Sequence, residues 1–295
     1  MSKLLTVRRL IWSWQIIEFG LTYWLIGRLG VSFGYQFLLT VIMMIGVRAL
    51  FIGILTTFIT LSFAKSRLTI GQFVRFWFSE FAAFCLLYFW FQAKPRRNLM
   101  LITEVKQNHV IFAHGFFCND GFWFRLAPRL LKEGFSVSGV EMPMVFGSID
   151  LFSMLLEKEV ARCLNLNPES NITIIGFSMG GLACRGLPEN IHKAINVITL
   201  YTPHRGTNLA RVIGIMGADN GKQMTVGSSW LNDLNAKPNN FKHSVGIWST
   251  HDTIVIPATG GEPPSHPLKL IGRGHLFAAI DTKLHRHVVR LLKHF

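Results

Sequence analysis

The chain has 295 residues, half of them hydrophobic, and carries 30 Lys and Arg against 16 Asp and Glu, a formal net charge of +14. Up to Arg97 the basic residues are opposed only by Glu18 and Glu80, and they cluster at the edges of apolar runs. Lys and Arg so placed meet lipid head groups rather than forming a polar stripe, which sets nucleic acid aside as a partner.

Three apolar runs fill the first third. Residues 10–27 contain Glu18, residues 76–91 contain Glu80, and residues 35–64 are interrupted only by Arg48. The outer two approach the ~20 residues that cross a bilayer as a helix. The middle run, at ~1.5 Å per residue, would reach about 45 Å against a hydrocarbon core of ~30 Å, so it must tilt, protrude or break near Gly46 or Gly53. Residues 1–97 are therefore expected to form a helical membrane-anchoring region of about three transmembrane helices. The first run is not read as a cleaved signal peptide, because no small-residue cleavage site follows it and two further apolar runs do. Charge is costly inside a bilayer, so Glu18, Arg48 and Glu80 are expected to face one another or the interface. With three crossings and a cytoplasmic start, the inner loops hold Lys3, Arg8, Arg9, Lys65, Arg67 and Arg75, and the outer ones Arg28, Lys94, Arg96 and Arg97. This imbalance puts the remaining domain on the periplasmic side of a bacterial cytoplasmic membrane, whereas a hairpin in the middle run would return it to the cytosol.

After residue 97 the pattern changes. Strand-like runs "HVIFAHG", "FSVSGVEMP", "NITIIGF", "INVITLYTP", "FKHSVGIWST" and "HPLKLIG" alternate with helical signatures at residues 122–133, 149–164, 180–186 and 276–293. Such alternation predicts an α/β domain, a mostly parallel sheet with helices on both faces, in which function collects at the carboxyl ends of strands. Cys118, Cys163 and Cys184 are an odd number without metal-type spacing, and the last two read as small buried hydrophobes.

One strand end carries a chemical motif. Gly176, Ser178 and Gly180 form G-x-S-x-G, directly after "ITII" and before "GLACRG". A nucleophile held on such a sharp strand-to-helix turn needs neighbours without side chains, and the following helix N-terminus favours developing negative charge. Serine needs a base, and the base needs an orienting acid. Asp252 in "WSTHDTIVIP" and His275 in "GRGHLFAAI" follow the serine at later strand ends, in the order acid then histidine. Rival acids Asp219, Asp233 and Asp281 read as solvated surface charges, and among rival bases His251, His266, His285 and His287 the last two read as lying on an exposed helix face. An oxyanion would be held by the N–H of Met179, after the nucleophile, and by that of Phe116, after the His114-Gly115 turn.

Taken together, "HGFF", "GFSMGG", "YTPHRGT", "QMTVGSSWLNDLN", "STHDTIVIP" and "GRGHL" cover residues 98–295 in order, and this region resembles a bacterial lipase or esterase of the α/β-hydrolase fold. The resemblance implies Ser178 as nucleophile, Asp252 as acid, His275 as base, and the Phe116 and Met179 amides as oxyanion hole. It also implies hydrolysis of carboxylic esters, often of lipids, through an acyl-enzyme, with no metal or organic cofactor. Phe177 departs from the pattern, since many lipases carry histidine there. Phe117, Phe177 and Trp123, with Phe122, Met142, Met144 and Phe146, are expected near the substrate mouth, and a short lid within residues 142–154 or 207–223. A thioesterase or phospholipase would use the same residues, and a membrane scaffold that merely kept the fold would be the non-enzymatic alternative. The resemblance does not reach residues 1–97.

Overall fold

A computed structural model of the protein describes residues 6–63, 67–94 and 104–295. The expected domain boundary at residue 97 lies outside these residues, as do Lys3, Lys65, Arg96 and Arg97 of the topology argument.

The first third is helical. Helix α1 (Val7–Arg28) opens on a Thr6 cap, α2 (Phe33–Ser62) follows, and α3 (Ile70–Cys85) starts at a capping box formed by Thr69 and Gln72. A π-helical turn (Leu86–Phe91) continues α3. The middle run is thus one unbroken 30-residue helix, with no break at Gly46 or Gly53. Among the described residues, two helices, Phe33–Ser62 and Ile70–Phe91, are long and apolar enough to cross a membrane. Helix α1, which carries Arg8, Arg9, Gln15 and Glu18, is less apolar than these two. The three charged residues do not meet as one group. Arg48 donates to Glu18 Oε1 at 2.6 Å and lies over the rings of Trp14 and Phe89, whereas Glu80 turns to the other part of the chain.

That part is built around a six-stranded parallel sheet. Strands β1 (Asn108–Ala113), β2 (Ser136–Val140), β3 (Asn171–Phe177), β4 (Asn196–Leu200), β5 (His243–Ser249) and β6 (Pro267–Leu270) lie in the order β2-β1-β3-β4-β5-β6. Near-continuous β-branched and apolar runs suit strands buried on both faces. Helices α4 (Leu126–Lys132), α5 (Ile149–Leu166), α6 (Met179–Arg185), α7 (Glu189–His192), α8 (Asn208–Ile215), α9 (Asp219–Met224), α10 (Ser229–Ala236) and α11 (Thr282–His294) complete it. One core joins α4 and α11 to the sheet through Leu130, Leu284 and Val288; a second joins α5 and α6 through Phe152, Leu156 and Leu182.

The first core also takes in Ala83 of α3 and Leu87 of the π turn, both fully buried. Phe91 stacks on Phe124, and Gln92 accepts from Asn119 N at 2.9 Å while its carbonyl accepts from Asn119 Nδ2. One face of the third apolar run is therefore packed against the sheet-bearing part of the molecule, while Phe78, Leu86 and Trp90 stay exposed.

Two side chains near the C-terminus differ from expectation. The helix expected over residues 276–293 is split into a 3-10 turn (Leu276–Ala279) and α11, because Asp281 caps α11 by accepting from Lys283 N and Leu284 N. Asp281 is accordingly buried and paired with Arg273, not a solvated charge. His285 is buried too, with Nε2 2.8 Å from the Ala278 carbonyl.

Candidate active site

The register of the sheet brings the singled-out segments to one edge. Ala113 pairs with Gly176, Phe177 with Leu200, Leu200 with Ile247, and Ser249 with Leu270, so the chain leaving β1, β3, β5 and β6 emerges at neighbouring carboxyl ends. The strand order reverses between β1 and β3, the topological position at which open α/β sheets form a crevice.

Ser178 sits between β3 and α6 at φ 53° and ψ −122°, a conformation that strains a residue with a Cβ. Its N–H donates to Leu200 O at 2.8 Å, and its carbonyl accepts from Gly181 N. The neighbouring glycines are required by space. A Cβ at Gly176 would stand 2.7 Å from Gly181 Cα, one at Gly180 2.2 Å from Ala113 O, and one at Gly181 1.9 Å from Thr202 Oγ1. Phe117 and Tyr201, in the loop after β1 and directly after β4, share the positive φ.

Asp252 and His275 are brought together. His275 Nδ1 lies 2.9 Å from Asp252 Oδ1 and 3.0 Å from Oδ2, with both side chains buried. Asp252 Oδ1 also accepts from Ile254 N and Val255 N, each at 2.8 Å, which fixes the carboxylate on its turn. Phe177 lies against the His275 ring at 4.8 Å and stacks on Phe122, and Tyr201 meets His275 edge-on at 5.9 Å. Ser178 and His275 open on one cavity of about 290 Å³, which Phe116, Phe117 and Phe177 also line.

Met179 begins α6, and the Phe116 loop is pressed against the serine: a Cβ at Gly115 would stand 2.9 Å from Ser178 Cβ. Trp123 goes elsewhere. It stacks on Phe112 within the core and does not line the cavity, because the 3-10 turn of residues 120–123 points it inward. Of the two lid segments, only residues 207–223 reach the cavity, through Leu209 and Ile213.

Sequence reasoning missed Glu80. Its Oε1 accepts from Thr253 Oγ1 at 2.5 Å and Leu276 N at 3.1 Å, and its Oε2 from Phe277 N at 2.9 Å. Thr253 Oγ1 in turn accepts from His275 N at 3.2 Å. A Cβ on Gly274 would stand 2.1 Å from Glu80 Oε2, so the carboxylate occupies the space a side chain there would need. One buried group of α3 thus ties together the residue after Asp252 and the two after His275. The signal was a lone carboxylate in an apolar run, which marks function by default.

A second titratable group lies at the opposite end of β1. His109, Glu159 and Cys163 place potential metal-ligand atoms within 4.8 Å of one another. His109 is already bonded to Ser136 Oγ and Ser138 Oγ, Glu159 to Arg162, and burial pushes the Cys163 thiol up to about 12. Those donors are satisfied within the protein.

The fold agrees with known structures. Over 68% of this chain and 96% of its own, the lipase BlEst2 of Bacillus licheniformis superposes with a TM-score of 0.54 at 17% identity. Lipase B of Aspergillus fumigatus superposes over 68% of this chain and 55% of its own, with a TM-score of 0.51 at 14% identity. The chain has the α/β-hydrolase fold. In sequence, this hydrolase-fold chain is 33% identical over 97 residues to triacylglycerol lipase 2 of Saccharomyces cerevisiae, a match spanning 30% of this chain and 29% of that protein. No family model matches the chain.

Proposed function

We propose that the protein is a serine hydrolase of carboxylic esters, held at a membrane by residues 1–97 and carrying its chemistry in residues 98–295. The observation that carries this reading is the cavity shared by strained Ser178 and by His275, whose far ring nitrogen is held by buried Asp252. In the reaction, His275 Nε2 takes the Ser178 Oγ proton as Oγ attacks the ester carbonyl carbon. The amides of Phe116 and Met179 hold the oxyanion, which lies at the N-terminus of α6. Collapse breaks the carbon–oxygen bond to the alcohol, which leaves with the proton returned by His275. Water then attacks the acyl-enzyme by the same path, giving carboxylic acid and free Ser178. Asp252 keeps the imidazole in the required tautomer throughout.

The test is ester hydrolysis by the full chain in detergent, over acyl chains from short to long, beside Ser178→Ala. Loss of about four orders of magnitude or more in kcat, with the fold retained, is expected for an essential nucleophile. Turnover that survives in the variant would overturn the assignment.

A further inference from the structure

The cavity at Ser178 is not walled by the hydrolase fold alone: Phe51, Ile52 and Leu55 of α2 line it. Ile52 is 2% exposed, while Phe51 and Ile54 beside it are 59% and 62% exposed. Along the helix the buried residues Met44, Arg48, Ile52 and Thr56 recur every four positions, so α2 turns one narrow stripe inward and leaves a broad apolar face outside. Helix α8 behaves similarly, with Leu209 and Ile213 on the cavity and Val212, Ile215 and Met216 exposed. Apolar surface of this extent on two elements bordering one cavity suits hydrocarbon surroundings.

We propose, resting on the assignment of the protein as a serine hydrolase, that α2 is part of the acyl-binding site. The substrate is a bilayer-resident ester whose acyl chain enters between α2 and α8 and lies against Phe51, Ile52 and Leu55, with its carbonyl at Ser178. Ser178 and His275 would meet the ester group, and the cavity's apolar wall the chain. Because the chain passes from one apolar medium to another, the wall selects by the length and shape of the space it leaves rather than by net burial of methylenes.

The test compares kcat/KM for a 4-nitrophenyl dodecanoate dissolved in phosphatidylcholine vesicles holding the full-length protein with that for 4-nitrophenyl acetate in water. In Ile52→Trp the indole fills the α2 side of the cavity, and the long-to-short ratio is expected to fall about tenfold or more. Ile54→Trp, on the exposed face, is expected to leave the ratio unchanged. The same dodecanoyl ester delivered on cyclodextrin, from water, is expected to turn over more slowly than from vesicles; equal rates would overturn entry from the bilayer. An unchanged ratio in Ile52→Trp, or equal losses on both esters, would overturn the acyl-wall role.

A measurement on the unmodified chain guards against an unfolded variant. A fluorophosphonate carrying a mid-chain diazirine is allowed to react with Ser178 and is then photolysed. Crosslinks within α2 are expected, and crosslinks confined to residues 116–146 would overturn the proposal. Failure to label Ser178 at all would bring down the serine-hydrolase assignment, and the acyl path with it.

Discussion

Glu80 offers the most direct way to ask whether the N-terminal helices take part in the chemistry. Glu80→Gln keeps an oxygen that can accept from Thr253 Oγ1 and Leu276 N, but turns an NH₂ toward Phe277 N–H, where a 2.9 Å bond stood. One lost bond to a buried donor costs about 1–3 kcal/mol, small beside the ~5–15 kcal/mol that holds a domain folded. If that energy is drawn from the placement of His275, then at 1.36 kcal/mol per tenfold kcat/KM falls roughly 5- to 150-fold. Glu80→Leu leaves three donors unmet, and both a larger loss of turnover and a lower Tm are expected. The assay is ester turnover by the full chain in detergent, with Tm by intrinsic fluorescence on the same samples. Positioning and stability separate in the glutamine variant, where kcat should fall with KM held, while Tm drops by only about 2–12 °C and the protein stays folded at the assay temperature. Wild-type kcat in Glu80→Gln, or a fall in Tm that accounts for all lost turnover, would refute the reasoning.

Two further outcomes follow from the described geometry. Because Ser178 is held at φ 53°, where glycine is at ease, Ser178→Gly should abolish turnover yet unfold about 1–2 kcal/mol later than Ser178→Ala in denaturant titrations; equal stability would count against strain at the turn. Burial lowers the His109 imidazole from 6.5 to about 4, so the folded state keeps it neutral while the unfolded chain takes up a proton below pH 6.5. Stability from this group is then complete above pH 6.5 and lost as pH falls toward 4, by about 3 kcal/mol in all at 1.36 kcal/mol per pH unit. Tm measured from pH 7.5 to 4.5 should decline less steeply in His109→Gln than in wild type, and parallel curves would contradict the assignment.

The sheet was legible because most of its strands, β1 to β4, are buried on both faces and read as apolar runs, with "NITIIGF" matching β3 residue for residue. Gly176, Gly180 and the turn at Ser178 were legible for a related reason: the absence of side chains is itself a pattern. Asp252 and His275 were reached through chain order and strand ends, and these are the two side chains found bonded to each other. Asp281 and His285 were misread because helical periodicity cannot show that a cap interrupts the helix and turns both inward. Trp123 was misplaced since an aromatic beside a motif looks the same in sequence whether it faces a cavity or a core. Glu80 was visible as an oddity, but its partners begin 173 residues further on, beyond the reach of any local pattern.

That separation also orders events in time. Glu80 leaves the ribosome long before Leu276, which lies 196 residues later, whereas Gln92 meets Asn119 after only 27. The loop bearing Phe116 can therefore dock on the end of the third apolar run early, while the loops bearing Asp252 and His275 are still unmade. When they emerge, the carboxylate that anchors them is already in place with its helix. On the proposed function, ester-cleaving capacity would be the last property the growing polypeptide acquires, and it would arise where the helices have settled.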